Sequence, residues 1–381
     1  MKPVKMLLIS NMYPSKSAPF YGTFVKKTVE FLEEDESFYV DKIVMYRNNG
    51  KVKKIASYIY HYLKVVKELV FSRKQYDVVY IHYASHNALP ILFSKIFNRR
   101  LRIVANVHGS DVVPENNKQK IFQPLVRTLL RISKKVIVPS EYFAALVKEK
   151  YRLIPEDIYI SPSGGIDNSV FCKKPPNYEQ FNLDPSKQYM GYIGRIDTGK
   201  GWEDFIKSIK IIKDNKKLSD TRFIIVGNGK QHHDMVNLIR SYDLESHIDL
   251  FDLMPRSDLA GIYNVLDAFV FPTKREGESL GLVGIEAMAC GCPVLGSEIG
   301  GLKSYIKDGV NGLFHSPGNI GELSKNILIL GNMDRVKYTE FQQNAIETAS
   351  QYNQEKVGSE LVKLFKELTD EKLSKRKSNV S

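Results

Sequence analysis

Cysteine is scarce: the 381 residues contain three, Cys172, Cys290 and Cys292. Three cannot build a disulfide framework, and Cys290-Gly291-Cys292 lacks the spacing of a zinc site. Nothing approaches about 18 consecutive apolar residues, which excludes a spanning helix. The start, Met1 to Ser10, has an apolar core too short for a secretory signal and runs straight into polar turn residues. No repeat of roughly 20–50 residues and no low-complexity block is present. No G-x-G-x-x-G follows the first apolar run, Val4–Ser10, which argues against an NAD oxidoreductase. No Ser/His/Asp or Cys/His pattern stands out. The pairs His82/His86 and His232/His233 lack a carboxylate or cysteine partner for a metal, and read as surface or loop histidines. With 43% hydrophobic residues and roughly 150 residues per domain, the expectation is a soluble, cytosolic, two-domain protein.

The net charge of +12 is unevenly placed. Residues 1–171 carry 27 Lys+Arg against 15 Asp+Glu, whereas residues 172–381 carry 28 of each. All of the excess sits in the first half, which points to a polyanionic partner there. The segment Lys51–Lys74 concentrates it, with seven Lys and Arg against Glu68 alone and Tyr58, Tyr60 and Tyr62 interleaved. Its helical-period stripe, Ile55, Ile59, Tyr62, Val66 and Val70, is the kind that more often packs into a core than meets a membrane. Arg99, Arg100 and Arg102 form a separate basic cluster.

Short apolar runs alternate with helix-period segments along the whole chain. In the first half, Val4–Ser10, Val40–Tyr46, Asp77–His82, Leu101–His108 and Val136–Pro139 read as buried parallel strands. Phe20–Leu32, Val52–Arg73, Asn87–Asn98, Lys118–Ile132 and Ser140–Tyr151 read as the helices between them. Pro and Gly then cluster at Ser161–Gly165 and Lys173–Asn177, marking a linker. A second series follows, with strands at Tyr189–Ile193, Arg222–Val226, Ile248–Phe251, Ala268–Phe271 and Pro293–Leu295. Its helices are Trp202–Lys213, Gln231–Tyr242, Leu259–Leu266, Leu280–Cys290 and Ile320–Leu330. The pattern predicts an α/β protein of two Rossmann-like doubly wound domains facing across a cleft. They span residues 1–171 and 172–352, with a last amphipathic helix, Gln354–Leu368, and a polar, frayed end from Lys372 to Ser381.

Two segments of the second half carry candidate chemistry. After strand Ala268–Phe271 comes a polar loop and then Leu280 to Cys290, closed by Gly291. Glu278 stands at the mouth of that helix, and Glu286 is a carboxylate among Ile285, Ala287 and Met288. A buried Glu needs partners, and the vicinal hydroxyls of a ribose suit its two oxygens. The amides of Ser279, Leu280, Gly281 and Leu282 suit an anion. The plainer reading makes Glu278 a cap and Glu286 half of a structural ion pair. The other segment is Gly194-Arg195-Ile196-Asp197-Thr198-Gly199-Lys200-Gly201, directly after a strand. It nearly fits a P-loop, but Gly201 stands where that motif needs a hydroxyl for Mg²⁺. What remains is an Arg and a Lys on a glycine-rich turn, able to clamp a diphosphate; the plainer reading is a solvated basic turn.

Together, Gly194-Arg195…Lys200-Gly201 and Glu278-x7-Glu286, with Glu286-Ala287-Met288-Ala289-Cys290-Gly291-Cys292-Pro293-Val294, resemble the retaining nucleotide-sugar glycosyltransferases of family four (glycosyl transferases group one). Gly227-Asn228-Gly229 and Ser161-Pro162-Ser163-Gly164-Gly165-Ile166-Asp167 support the resemblance, which covers nearly the whole chain. It implies the GT-B fold, with the final helix (about 353–381) crossing back to the amino-terminal domain. It also implies roles. Arg195 and Lys200 hold the donor diphosphate and stabilise it as leaving group. Glu286 accepts hydrogen bonds from the ribose, Glu278 faces the donor sugar, and the backbone of Gly194, Ser279, Leu280, Gly281 and Leu282 cradles phosphate. The base is read near Leu253 and Met254. In the first half His108 resembles the family's histidine near the sugar and acceptor, with Asp111 to orient it, and Gly22 lets the backbone approach the diphosphate or acceptor.

The resemblance thus implies a retaining transferase moving a sugar, from a UDP-sugar foremost, to a glycan or lipid-linked hydroxyl acceptor in surface polysaccharide or glycolipid assembly. The absence of any D-x-D disfavours the metal-dependent GT-A type. No metal and no cofactor beyond the donor are expected. A lipid-linked acceptor at an anionic membrane would account for the basic half, placing the protein in the cytoplasm, peripheral on the inner face of the membrane. Rival readings are a phosphorylase or nucleotide-sugar epimerase of the same fold and, from another class, a polyanion-binding protein. No aromatic RNA motif or recognition helix supports a nucleic-acid partner.

Overall fold

The structure, a computed structural model, describes residues 3–19, 21–47, 50–216 and 220–378. The chain divides into two units, Met1–Gly165 with Glu355–Ser381, and Ile166–Gln354. The first division falls six residues before the boundary read from the sequence, because Ile166 and Phe171 are buried in the second unit's core.

The first unit holds β1 (Val4–Tyr13), β2 (Phe38–Tyr46), β3 (Val78–His82), β4 (Ile103–Asn106), β5 (Lys135–Val138) and β6 (Ile158–Ile160). They form one all-parallel sheet in the order β2-β1-β3-β4-β5-β6. Successive side chains of β1 enter different cores: Leu7 and Ile9 join one face of the sheet, Met6 and Leu8 the other. Both faces are therefore covered, which is why these strands read as unbroken apolar runs. Each such fully buried side chain contributes about 1.5–3 kcal/mol.

The last helix, Gln354–Ser378, belongs to this unit. Its stripe of Val357, Leu361, Leu364, Phe365 and Leu368 is buried, and the Phe365 ring meets Tyr80 edge-on at 4.9 Å. The helix runs past Leu368 into the segment expected to fray; residues 379–381 of that segment lie outside the described residues.

The second unit holds β7 (Gln188–Ile193), β8 (Thr221–Val226), β9 (Ile248–Phe251), β10 (Ala268–Phe271), β11 (Val294–Ser297) and β12 (Gly312–His315). This sheet is also all parallel, in the order β12-β11-β10-β7-β8-β9. Strand order reverses between β7 and β10, and in such sheets ligands bind outside the carboxyl ends of the two strands at the reversal.

Several elements differ from the sequence reading. Strands β6 and β12 and helix Arg335–Ser350 were not anticipated. The expected helix Lys118–Ile132 is two, Asn117–Ile121 and Gln123–Ile132, because Pro124 in the first turn of the second lacks the amide to continue the first. The expected helix Val52–Arg73 is an α-helix, Lys51–Val66, that widens into a π turn at Lys67–Phe71. Its inward side is His61, Val65 and Leu69, while Ile55 and Ile59 are 62% and 56% exposed. Of the stripe read as core packing, Ile55 and Ile59 thus face outward, while Tyr62, Val66 and Val70 are half-buried.

Candidate active site

Both motif segments of the second unit leave the strands that flank the reversal. The loop after β7, Gly194 to Gly201, ends at the N-cap of helix Trp202–Asp214. Gly201 there has φ 80°, and a Cβ would fall 1.8 Å from the Pro272 carbonyl oxygen. Only glycine lets this loop lie so close against the one after β10. Lys274 N–H donates to the Gly199 carbonyl at 2.8 Å, and the Thr273 hydroxyl lies 3.4 Å from both that carbonyl and the Glu278 carboxylate. The two loops are one assembly.

Within it Lys200 Nζ meets Glu278 Oε2 at 2.7 Å, with the two side chains 14% and 13% exposed. Few waters reach this pair, so its charges are weakly screened. Glu278 does not cap the helix behind it: that N-cap is Gly281, with no side-chain cap, and the helix is Leu282–Ala289, starting two residues later than expected. Leu282, Val283 and Gly284 form the first turn, the positive end of a helix dipole; the Gly284 N–H donates to the Gly281 carbonyl at 2.9 Å, which leaves the amides of Leu282 and Val283 for an anion. The Glu278–Ser279 backbone is held from a third side by a segment that motif reading passed over. Gly301 N–H donates to the Glu278 carbonyl at 2.9 Å, and a Cβ on Gly301 would lie 2.0 Å from the Ser279 oxygen.

Glu286 lies one turn into that helix and is nearly buried, its side chain 12% exposed. Burial pushes its carboxyl above the usual range, and the Arg256 guanidinium, 3.3 Å from Oε1, opposes the shift. Arg256 is itself stacked over the Phe171 ring. Among the described residues no hydrogen bond engages the second oxygen, so one side of the carboxylate is available to a diol. Arg195 is placed differently from Lys200. It is 63% exposed and bonds Asp197 at 3.0 Å, so the two cations grouped in sequence have separate carboxylate partners. Leu253, beyond β9, exposes 67% of its surface, while Met254 packs against the core. The Leu253 N–H donates to Asp252 Oδ1 at 3.1 Å.

In the first unit, Gly22 is the N-cap of helix Thr23–Glu34 at φ 80°. A Cβ there would lie 3.0 Å from the Met12 and Tyr13 backbone, so the glycine serves the close approach of the loop to β1. His108 follows β4, half-buried, with Phe24 and Tyr83 rings 4.6 and 5.0 Å away. The expected Asp111 partnership takes another form. Asp111 Oδ1 accepts from the His108 backbone N–H at 2.9 Å and Oδ2 from the Ala84 N–H at 3.1 Å, so Asp111 fixes main chain and not the ring. The imidazole is held by His82, whose Nδ1 lies 3.0 Å from His108 Nε2. His82 is fully buried, contrary to the surface or loop placement read from the sequence. Burial lowers the His108 pKa to about 3 and that of His82 well below its ordinary value, so both rings are neutral at physiological pH. Sequence pattern could not pair these two; register does, because β3 lies beside β4 with His82 opposite Asn106.

Comparison with known proteins gives this geometry a family. Residues 26–167 match the sequence family described as Glycosyltransferase Family 4, and residues 173–352 match that described as Glycosyl transferases group 1. An uncharacterized glycosyltransferase of Methanocaldococcus jannaschii is 26% identical over 96% of this chain and all of its own length. The N-acetyl-alpha-D-glucosaminyl L-malate synthase of Bacillus anthracis is 25% identical over 66% of this chain and 64% of its own. Among solved structures, sucrose-phosphate synthase from Thermosynechococcus elongatus superposes with TM-score 0.78 at 19% identity, covering 96% of this chain and 99% of that one. Anabaena HepE in complex with UDP-glucose gives 0.73 at 18% identity, covering 95% and 99%. With both units matched, the chain belongs to the family 4, group 1 glycosyltransferases, and its two doubly wound units are those of the GT-B fold.

Proposed function

We propose that the protein is a retaining, metal-independent transferase that moves a sugar from a nucleoside diphosphate donor, UDP foremost, to a hydroxyl acceptor. The observation that carries this reading is the Lys200–Glu278 pair on two interlocked loops at the strand reversal, beside an uncapped helix N-terminus. Lys200 and the first-turn amides offer positive charge to a diphosphate, as a metal would elsewhere. Glu278 offers an acceptor to sugar hydroxyls, and Glu286 one to the ribose. The UDP and UDP-glucose complexes of HepE support the choice of base. Arg195, exposed and, among the described residues, paired with Asp197, can swing onto the same diphosphate. No cofactor beyond the donor is needed.

In the reaction the bond from the sugar's anomeric carbon to the β-phosphate oxygen breaks, and the acceptor oxygen bonds that carbon from the same face. The acceptor proton goes to the departing phosphate oxygen, so no protein nucleophile is required. The test is turnover of UDP-sugars with and without hydroxyl acceptors, reading the anomeric configuration of the product by NMR. Retention with release of UDP is expected. Isomerised donor without acceptor, or sugar phosphate formed only with added phosphate, would move the protein to the epimerases or phosphorylases.

On this proposal the acceptor is a substrate at an anionic membrane surface, in polysaccharide or glycolipid assembly. Support comes from helix Lys51–Val66, which exposes Val52, Ile55, Ile59 and Leu63 on the side away from buried His61 and Val65. The neighbouring helix, Ala84–Phe97, is joined to it by the buried His61–Asn87 bond and exposes Leu89, Phe93, Ile96 and Phe97. Lysines 53, 54, 64 and 67 flank the first stripe. Exposed apolar side chains rimmed by lysine fit the headgroup boundary of an anionic bilayer. No helix among the described residues is long and apolar enough to cross a membrane. The Ile55→Asp/Ile59→Asp variant, altered only at exposed positions, is expected to lose flotation with anionic vesicles while staying folded. Undiminished flotation would contradict this face.

A further inference from the structure

A buried histidine outside every motif, His82, sits against the His108 ring. The Nδ1–Nε2 separation is 3.0 Å, the ring centroids are 5.1 Å apart and the planes differ by 11°. Nearly parallel rings whose nitrogens are much closer than their centres meet edge to edge, so this is an aligned hydrogen bond and not a stack. One nitrogen must donate and the other accept. If His108 Nε2–H donated, His82 would carry its own proton on Nε2, which is buried without a hydrogen-bond partner among the described residues. The small cavity beside the His82 ring is lined by Phe24, Tyr80 and Leu361 together with Thr28, Asn106, Ser161 and Ser163, and among the described residues none of these bonds Nε2. An orphan N–H there costs more than an orphan lone pair. His82 therefore carries its proton on Nδ1 and donates, and His108 Nε2 accepts.

We infer that His82 is a positioning residue that fixes His108 as the Nδ1–H tautomer, so that His108 presents a hydrogen-bond donor, and not a base, to an oxygen of the acceptor bound at the first unit. The consequence for catalysis rests on the proposed transfer reaction; the tautomer does not. With Nε2 occupied by His82, Nδ1 is the ring nitrogen left for a ligand, and no hydrogen bond to a protein group engages it among the described residues. Asp111 holds the His108 main chain and Phe24 and Tyr83 bracket the ring, so the donor is held in direction as well as in protonation.

The test has two readouts on the full chain. With histidine-selective ¹⁵N labelling, long-range proton–nitrogen NMR of the wild type should show His108 protonated on Nδ1, assigned by its loss in His108→Gln. In His82→Leu, which keeps the site apolar, the His108 pattern should change to a mixture of tautomers. In His82→Asn, whose amide can donate from nearly the Nδ1 position, the pattern should return. Turnover should follow: kcat on the order of tenfold lower in His82→Leu with KM for the donor little changed, and mostly restored in His82→Asn. A wild-type His108 protonated on Nε2, or an unchanged pattern in folded His82→Leu, would overturn the assignment of the tautomer. Correct tautomers with equal turnover in all three proteins would overturn its part in catalysis. Absence of any glycosyl transfer by the wild type would instead strike the transfer reading, leaving the NMR result to stand.

Discussion

Replacing Lys200 with alanine is expected to lower kcat by about a hundredfold to a thousandfold, the range for loss of one preorganised donor to developing charge. Negative charge grows on the β-phosphate as the glycosidic bond breaks, so the lost interaction is stronger in the transition state than in the bound donor. KM should therefore move much less than kcat. A stability effect accompanies this, because Lys200→Ala leaves Glu278 at 13% exposure facing Thr273 with no cation. That costs on the order of 3 kcal/mol. The Lys200→Ala/Glu278→Gln double variant separates the two effects: denaturation midpoints should recover toward wild type, while turnover should stay low. Steady-state kinetics and denaturant melts of both variants check this. Wild-type kcat in Lys200→Ala would remove the residue from the leaving-group role.

The other large effect is expected at Glu286, and it should appear in binding. A carboxylate that accepts from two ribose hydroxyls makes two charge-assisted bonds, each worth about 1.5–3 kcal/mol. Glu286→Ala should therefore weaken nucleoside diphosphate affinity by at least about a hundredfold. The fold should tolerate the change. Burial already penalises this carboxylate, and its partner Arg256 is half exposed and stacked on Phe171, so water can take over the lost contact.

The strands at the centres of both sheets were legible because both faces are buried, which leaves runs such as Met6–Ile9 and Phe269–Phe271 almost without polar interruption. β6 has three residues, and β12 carries glycine and a histidine in four, so neither makes a run that stands out. Helix Lys51–Val66 shows a different limit. Periodicity finds a stripe but not which way it points, and here the outward stripe is the more apolar one, while the inward side includes His61 bonded to Asn87. At the candidate site the glycines, Lys200, Glu278 and Glu286 stood out as residue types that cost something where they are. What holds them did not. Lys200 and Glu278 are 78 positions apart, His82 and His108 are 26 apart, and Gly301 touches Glu278 only because β10 and β11 are neighbours. Such partners are fixed by strand order and register, which local pattern does not contain.

The central claim is that the second unit binds a nucleoside diphosphate at Lys200, Glu278 and Glu286. Its most direct test is a set of thermal-shift titrations with UDP, GDP, ADP and CDP, with and without EDTA, on wild type and Glu286→Ala. At about 100 times its dissociation constant, the correct nucleotide adds about 2.7 kcal/mol to the wild type. At the same concentration the variant, at least about a hundredfold weaker, gains no more than about 0.4 kcal/mol. A shift with UDP that survives EDTA and nearly vanishes in Glu286→Ala is the predicted result. No shift with any of the four in folded wild type, or an equal shift in Glu286→Ala, would contradict it.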